Sequence, residues 1–401
     1  MSRSIAGGRI AGAVTLLARR GEMAHLEASG FMDLATRRPM REDAIFRIFS
    51  MTKPVTSVAL LMLLEEGRLH LDWPAAEFIP ELSDLRVLAR PARARPARER
   101  PARERPALAR DAEGGERLEA LIRPVIIHDL LTHSSGLGYG LETTDPLEAR
   151  WHAADLLRMD ESLEEKMPRI AALPLHHQPG LRYTYSIGTD VLARIVEVAS
   201  GQAFDEFLEA RVFGPLGMAD TGFFVPPSKL ERLASLYTPG PDGRLVDAAS
   251  LDLSAAPHFM KGAWIDKSKK PRFLSGGGGL VSTASDYLRF ALMLKNGGAF
   301  EGERILGRKT VELMTSPFLT GERFPIPGCA YGLGLTILTS PALARFPGSP
   351  GSFGGGGAAN TDFWVDPSED LVGILMVQLA STSPCPVAQD FRATALQSVV
   401  E

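Results

Sequence analysis

Cysteine is scarce in this 401-residue chain: Cys329 and Cys385 are the only two. That is too few for a disulfide framework, and two isolated thiols are expected. No apolar run approaches the length of a bilayer-spanning helix, so no membrane partner is expected. Neither sign of charge dominates. Lys and Arg number 44 against 48 Asp and Glu, a net charge of −4, which gives no reason to expect nucleic acid. No Gly-x-Ser-x-Gly elbow occurs, which argues against an α/β-hydrolase nucleophile. The Gly276–Gly279 run lacks a following Gly-Lys-Ser/Thr, so it reads as a tight turn into a strand and not as a phosphate loop. His176 and His177 are adjacent and point apart in regular structure. His128-Asp129 has no further ligand at helical spacing. No metal and no cofactor are therefore expected. What remains is ordinary for a globular protein, with 45% hydrophobic and 23% charged residues, enough chain for one large domain or two.

The most informative stretch present is Ser50-Met51-Thr52-Lys53, followed at once by the apolar run Val55, Val58, Ala59, Leu61, Met62 and Leu63. If Ser50 opens a helix, residues i and i+3 share a face one turn apart. A serine hydroxyl is a weak nucleophile until a base takes its proton. An amine held in a dry cleft can be that base, because desolvation favours the neutral form. The bland alternative is a surface Ser and Lys at a helix start, with Ser50 as the N-cap.

Other segments weigh against the bland alternative. Tyr185-Ser186 lies in a loop just before an apolar-striped run, Asp190–Val196. Gly354–Gly357 and Ala358-Ala359 precede the strand-like Thr361–Val365, and glycines beside a strand let a substrate approach the backbone. With these residues the sequence resembles the serine β-lactamase and penicillin-binding-protein superfamily. Within it, class C β-lactamases and family VIII carboxylesterases are the nearest likeness. Ile127–Leu137, Pro215–Thr221, Gly276–Thr283 and Tyr331–Gly334 are family-like too, so the resemblance covers nearly the whole chain.

The resemblance implies an α/β (α+β) β-lactamase-like fold: an antiparallel sheet flanked by helices plus an inserted, mostly helical domain. It implies acyl transfer through an acyl-enzyme on Ser50. Lys53 and Tyr185 would share the general-base role, and the backbone N–H groups of Ser50 and Ala358 would form the oxyanion hole. The departures bear on substrate. Ile187 stands where lactamases have the Asn of Tyr-x-Asn. Gly355-Gly356-Gly357 stands where they have Lys-Thr-Gly and where family VIII esterases often have Trp-Gly-Gly. These four positions are the expected substrate-binding residues, and the missing cation favours short neutral esters over β-lactam acids. A β-lactamase, a D-amino-acid peptidase or an amide-oligomer hydrolase on the same scaffold is the alternative. A non-catalytic binding relative is a third reading, disfavoured because Ser50, Lys53 and Tyr185 are all present. Trp264, Phe273 and Tyr331 are available for an acyl pocket, though each fits core or rim packing better.

Two strands are expected over Ala11–Ala18 and Met23–Gly30, a helix over residues 54–67, another near Ser285–Lys295, a strand pair after Tyr331, and a closing helix near Gln389–Val400. Strands at both ends suggest a discontinuous α/β domain of residues 1–75 and 256–401 around a mostly helical domain of 76–255. A Pro/Ala/Arg-rich insertion near 90–117 is expected to be disordered, since it cannot bury apolar surface and its prolines forbid a long helix. Its alternative reading is a basic patch that recruits an acidic partner or lies over the cleft. The first residues are too short and glycine-rich for a signal peptide, which favours the cytoplasm. Oligomeric state is left open.

Overall fold

The computed structural model describes residues 1–89, 117–141, 143–251, 264, 266–380 and 385–400. The Pro/Ala/Arg-rich segment of the sequence falls outside these, save for Arg117 at its end.

An eight-stranded antiparallel sheet joins the two ends of the chain. Its order is Cys329–Tyr331, Thr336–Leu338, Phe353–Gly356, Asp362–Asp366, Leu371–Val377, Gly12–Arg19, Glu22–Asp33 and Arg38–Pro39. The central pair runs Ala13 against Val377 to Arg19 against Leu371. Alternation along these strands splits their side chains between two faces. Val14, Leu16, Val372, Ile374 and Met376 enter the main core. Ala13, Leu375, Val377 and Trp364 pack on the other face with Val387 and Phe391 of the closing helix, Val387–Gln397. With both faces covered, the central strands are almost wholly apolar.

The helix Thr52–Glu65 is buried from Thr52 to Leu63. A helix buried all round needs apolar residues all round, which is why its sequence shows a run in place of a stripe. It packs on the helix Gly188–Ser200. That helix ends at Gly201, whose positive φ of 74° closes it as a left-handed cap. The helix Ala284–Lys295 lies against the sheet, capped by Thr283 through the Asp286 N–H. Between residues 76 and 255 the regular structure is mainly helices, including Pro146–Ala153, Leu163–Ala171 and Phe204–Leu208, with short strand pairs. One of those pairs, Arg86–Leu88 with Leu118–Ala120, brackets the Pro/Ala/Arg-rich segment. The mixed α/β fold with a large antiparallel sheet is the one expected from sequence.

Candidate active site

Ser50 is placed by the tight turn Phe49–Met51, a single 3-10 turn that runs directly into the Thr52–Glu65 helix. The serine therefore precedes the helix by two residues and does not open it. Phe49, immediately before it, has a φ of +42°, a left-handed conformation that a bulky residue adopts only when its surroundings impose it. Its ring stacks on Trp264, centroids 6.1 Å apart and planes 6° from parallel. Trp264 is in turn held by its indole N–H on the Leu157 carbonyl at 2.9 Å.

Lys53 follows one turn after Ser50 and is 3% exposed. Its Nζ donates to Ser50 Oγ at 3.2 Å and to the Gly277 carbonyl at 2.5 Å. Tyr185 comes from the loop before the Gly188–Ser200 helix, and its hydroxyl is 2.6 Å from Ser50 Oγ. Serine, lysine and tyrosine, 135 residues apart at the extremes, thus form one hydrogen-bonded cluster. Lys53 Nζ also lies over two rings, 4.7 Å from the centroid of Tyr185 and 5.5 Å from that of Tyr139. The two rings stack with centroids 5.4 Å apart. Electron-rich faces attract a cation and hold the amine in place without fixing its protons.

The cleft in front of Ser50 has a volume of about 390 Å³. Its walls are Phe49, Tyr139, Leu141, Leu157, Tyr185 and Trp264, with Gly277, Gly278, Gly356 and Ala358 on the backbone side. No charged side chain is among them. Ala358 and Ser50 both face this space, while Trp264 serves as a wall; Phe273 backs Trp264 edge-on, and Tyr331 is buried beside Tyr183.

Three of the expected substrate-binding positions are not among the described residues that line the cleft. Ile187 is fully buried in the main core, and its N–H bonds to the Gly138 carbonyl at 3.0 Å. An apolar side chain at a helix start is drawn inward, so it leaves the cleft wall. Gly357 is not a wall residue either. A Cβ there would lie 2.3 Å from both the Ile48 carbonyl and Thr361 Oγ1, so the chain passes hard against the segment leading into Ser50. Gly355 does not line the cleft, and a Cβ on it would meet only the Phe363 ring at 3.9 Å. Gly356 does line it.

Sequence reasoning missed Tyr139, Asp190 and the role of His133. His133 Nδ1 lies 3.1 Å from Ser186 Oγ, and its ring packs against Tyr183, Tyr185 and Tyr331. Burial, and then the nearby Lys53, hold its pKa well below the usual histidine value, so it is a neutral buttress. Asp190 is 1% exposed and accepts from Ser275 Oγ at 2.6 Å and from the Gly277 N–H at 3.1 Å. Burial pushes its carboxyl above the usual carboxylate range, opposed by the Ser275 hydrogen bond and by Lys53. Tyr139 in Gly138-Tyr139-Gly140 carried no periodic signal. No cluster able to hold a metal ion exists among the described residues.

A family model described as Beta-lactamase matches residues 1–397. Protein Rv1367c of Mycobacterium tuberculosis (strain ATCC 25618 / H37Rv) is 36% identical over 383 residues, covering 92% of this chain and 86% of that protein. Esterase EstB of Burkholderia gladioli is 33% identical over 380 residues, covering 93% of this chain and 87% of EstB. Among solved structures, EstCE1, titled a hydrolase with promiscuous acyltransferase activity, superposes with a TM-score of 0.77 at 24% identity. It covers all of this chain and 96% of its own.

Proposed function

The chain belongs to the beta-lactamase family and is a serine hydrolase of that fold, and from this we propose that Ser50, Lys53 and Tyr185 carry a carboxylesterase reaction on short-chain neutral esters. The observation that carries the reading is the cluster itself, with Ser50 Oγ 2.6 Å from one partner and 3.2 Å from the other at the floor of a cleft with no charged side chain among its described walls.

Ser50 Oγ attacks the ester carbonyl carbon. Its proton passes to the Lys53–Tyr185 pair and then, through the Tyr185 hydroxyl, to the departing alkoxide. The N–H groups of Ser50 and Ala358 receive the oxyanion, each such donor contributing about 3 kcal/mol to the transition state. Water then attacks the acyl-enzyme, the same pair takes its proton, and Ser50 is released. Neutral substrates are favoured because, among the described residues lining the cleft, no cation takes the place of the lactamase lysine and because Ile187 is withdrawn into the core. The placement with the family VIII esterases rests on the Ser50, Lys53 and Tyr185 pattern, and the likeness to EstB, an esterase, supports the esterase part of that reading. Free thiols at Cys329 and Cys385 fit a reducing compartment and support the cytoplasm.

We also propose the two-part organisation of residues 1–75 with 256–401 around 76–255. The main sheet draws only on the first part, and the cleft draws on both. Phe49, Ser50, Trp264, Gly277 and Ala358 face Tyr139, Leu141, Leu157 and Tyr185.

The reading is tested by labelling with a fluorophosphonate and by comparing kcat/KM for p-nitrophenyl butyrate and nitrocefin on one preparation. Stoichiometric labelling at Ser50, loss of both labelling and turnover in Ser50→Ala, and a clear preference for the ester are expected. Near wild-type turnover by Ser50→Ala would end the reading. Equal or faster nitrocefin hydrolysis would promote the lactamase alternative.

A further inference from the structure

The one-oxygen bonding of Asp190 is unusual for a buried carboxylate. Oδ1 takes both of its donors, Ser275 Oγ and the Gly277 N–H. Oδ2 is buried and has no hydrogen-bond partner among the described residues. Leaving a buried acceptor unsatisfied costs about 1–3 kcal/mol, so such an atom calls for an explanation. A Cβ added at Gly277 would fall 2.6 Å from Oδ2 and 3.2 Å from the Tyr139 hydroxyl, so both oxygens pack directly over this glycine. The Gly277 carbonyl holds Lys53 Nζ at 2.5 Å. Gly277 is therefore gripped at its N–H by Asp190 and at its carbonyl by Lys53. Neither Asp190 nor Lys53 forms an ion pair with another side chain among the described residues.

We propose that Asp190 is the positioning residue for the Lys53 amine: it fixes the Gly277 carbonyl that aims the amine at Ser50, and its negative charge favours the proton that the Lys53–Tyr185 pair takes from Ser50. This rests on the Ser50–Lys53–Tyr185 reading. When the Ser50 Oγ–carbon bond forms, the Ser50 proton moves to that pair, and the cation so formed lies across one glycine residue from a carboxylate. The proton leaves again on the alkoxide, so the carboxylate exchanges none. The other groups facing this region are Lys166 from the Leu163–Ala171 helix, Tyr139, Tyr185 and the neutral His133. Lys166 is the second cation near Asp190. It is bonded to the Arg158 carbonyl at 2.7 Å and lies over the Phe273 ring, so it belongs to its own helix packing.

Asp190→Asn separates the two roles a carboxylate here could serve. An amide oxygen keeps the shape and both hydrogen bonds, while the charge is gone. A purely structural Asp190 is fully replaced by Asn. A positioning Asp190 is not. Fluorophosphonate labelling of Ser50 and kcat/KM for p-nitrophenyl butyrate are measured against pH in wild type and Asp190→Asn. We expect kcat to fall about 10- to 100-fold with KM within about threefold. We expect the acid limb of both profiles to move to lower pH by about one unit, since loss of a nearby negative charge makes the Lys53–Tyr185 pair easier to deprotonate. Ser275→Ala keeps the carboxyl group but removes from Oδ1 one of the donors that favour its ionised form, so it should lower kcat as well; it serves if Asp190→Asn does not fold. An Asp190→Asn protein with wild-type kcat and an unmoved acid limb, or a Ser275→Ala protein with wild-type kcat, overturns the proposal. Wild-type protein that is not labelled at Ser50 overturns the underlying reading instead, a separate outcome.

Discussion

Tyr185 meets both of its partners at once: its hydroxyl is 2.6 Å from Ser50 Oγ, and Lys53 Nζ lies 4.7 Å above its ring. A phenol is a poor base at its ordinary pKa of about 10. A cation against the ring and a serine hydroxyl at the oxygen put all three groups on one path for the proton that leaves Ser50.

A shared path of that kind is visible in kinetics. Lys53→Ala and Tyr185→Phe should each lower kcat by about three orders of magnitude or more on p-nitrophenyl butyrate. The double variant should fall within about tenfold of the weaker single variant, because members of one relay are strongly non-additive. A double variant that shows the product of the two losses would mean that the residues act separately.

The glycines before the Asp362–Asp366 strand differ sharply in what they tolerate. A methyl at Gly357 meets the Ile48 carbonyl at 2.3 Å, and Ile48 is two residues from the nucleophile. A methyl at Gly355 meets nothing closer than 3.9 Å. Gly357→Ala should therefore displace the Ser50 turn and cost about 100-fold in kcat/KM. Gly355→Ala should stay within about threefold of wild type. Equal effects at the two positions would show that backbone approach at Gly357 is not what places Ser50.

Much of the architecture was legible in local pattern. The strands expected over Ala11–Ala18 and Met23–Gly30 pair as Gly12–Arg19 with Glu22–Asp33, and an apolar run marked the buried Thr52–Glu65 helix. The Ser-x-x-Lys spacing carried the catalytic pair because both residues are local to one turn. Long-range relations were not legible. Nothing in Gly138-Tyr139-Gly140 announces that its ring stacks on Tyr185, and nothing around Asp190 announces its bond to Gly277, 87 residues away. Ile187, a motif position expected to face the substrate, is drawn into the core by its hydrophobicity and its place at a helix start.

The Pro/Ala/Arg-rich segment is bracketed by paired strands. Arg86–Leu88 runs antiparallel to Leu118–Ala120, and the Ala89 N–H bonds to the Arg117 carbonyl at 2.9 Å. Its ends are thus already at hairpin distance. Replacing residues 91–115 with Asn-Gly should close a short hairpin and leave small-ester turnover unchanged. Loop entropy alone changes little with length, so the melting temperature should move by no more than about 3 °C. A larger drop, or a lost preference among esters, would show that the segment packs on the body or over the cleft.

Asp190 should reveal its role through stability as well as rate. Burial raises its carboxyl pKa above the ordinary value, so the native state binds the proton more tightly than the unfolded chain does. Where native protein holds more protons, stability falls as pH rises. The cost therefore begins near the ordinary carboxylate pKa of about 4 and is complete once pH exceeds the raised native value. Asp190→Asn removes this cost and keeps the acceptor for Ser275 and Gly277. At pH 7 the variant should melt no lower than wild type and up to about 4 °C higher, and below about pH 4 the two curves should converge. Slower turnover together with an unchanged or higher melting temperature is the signature of a residue kept for chemistry at the expense of stability. A variant that melts well below wild type at pH 7 but converges with it below about pH 4 would mean that the ionised carboxylate stabilises the fold and is not kept at the expense of stability.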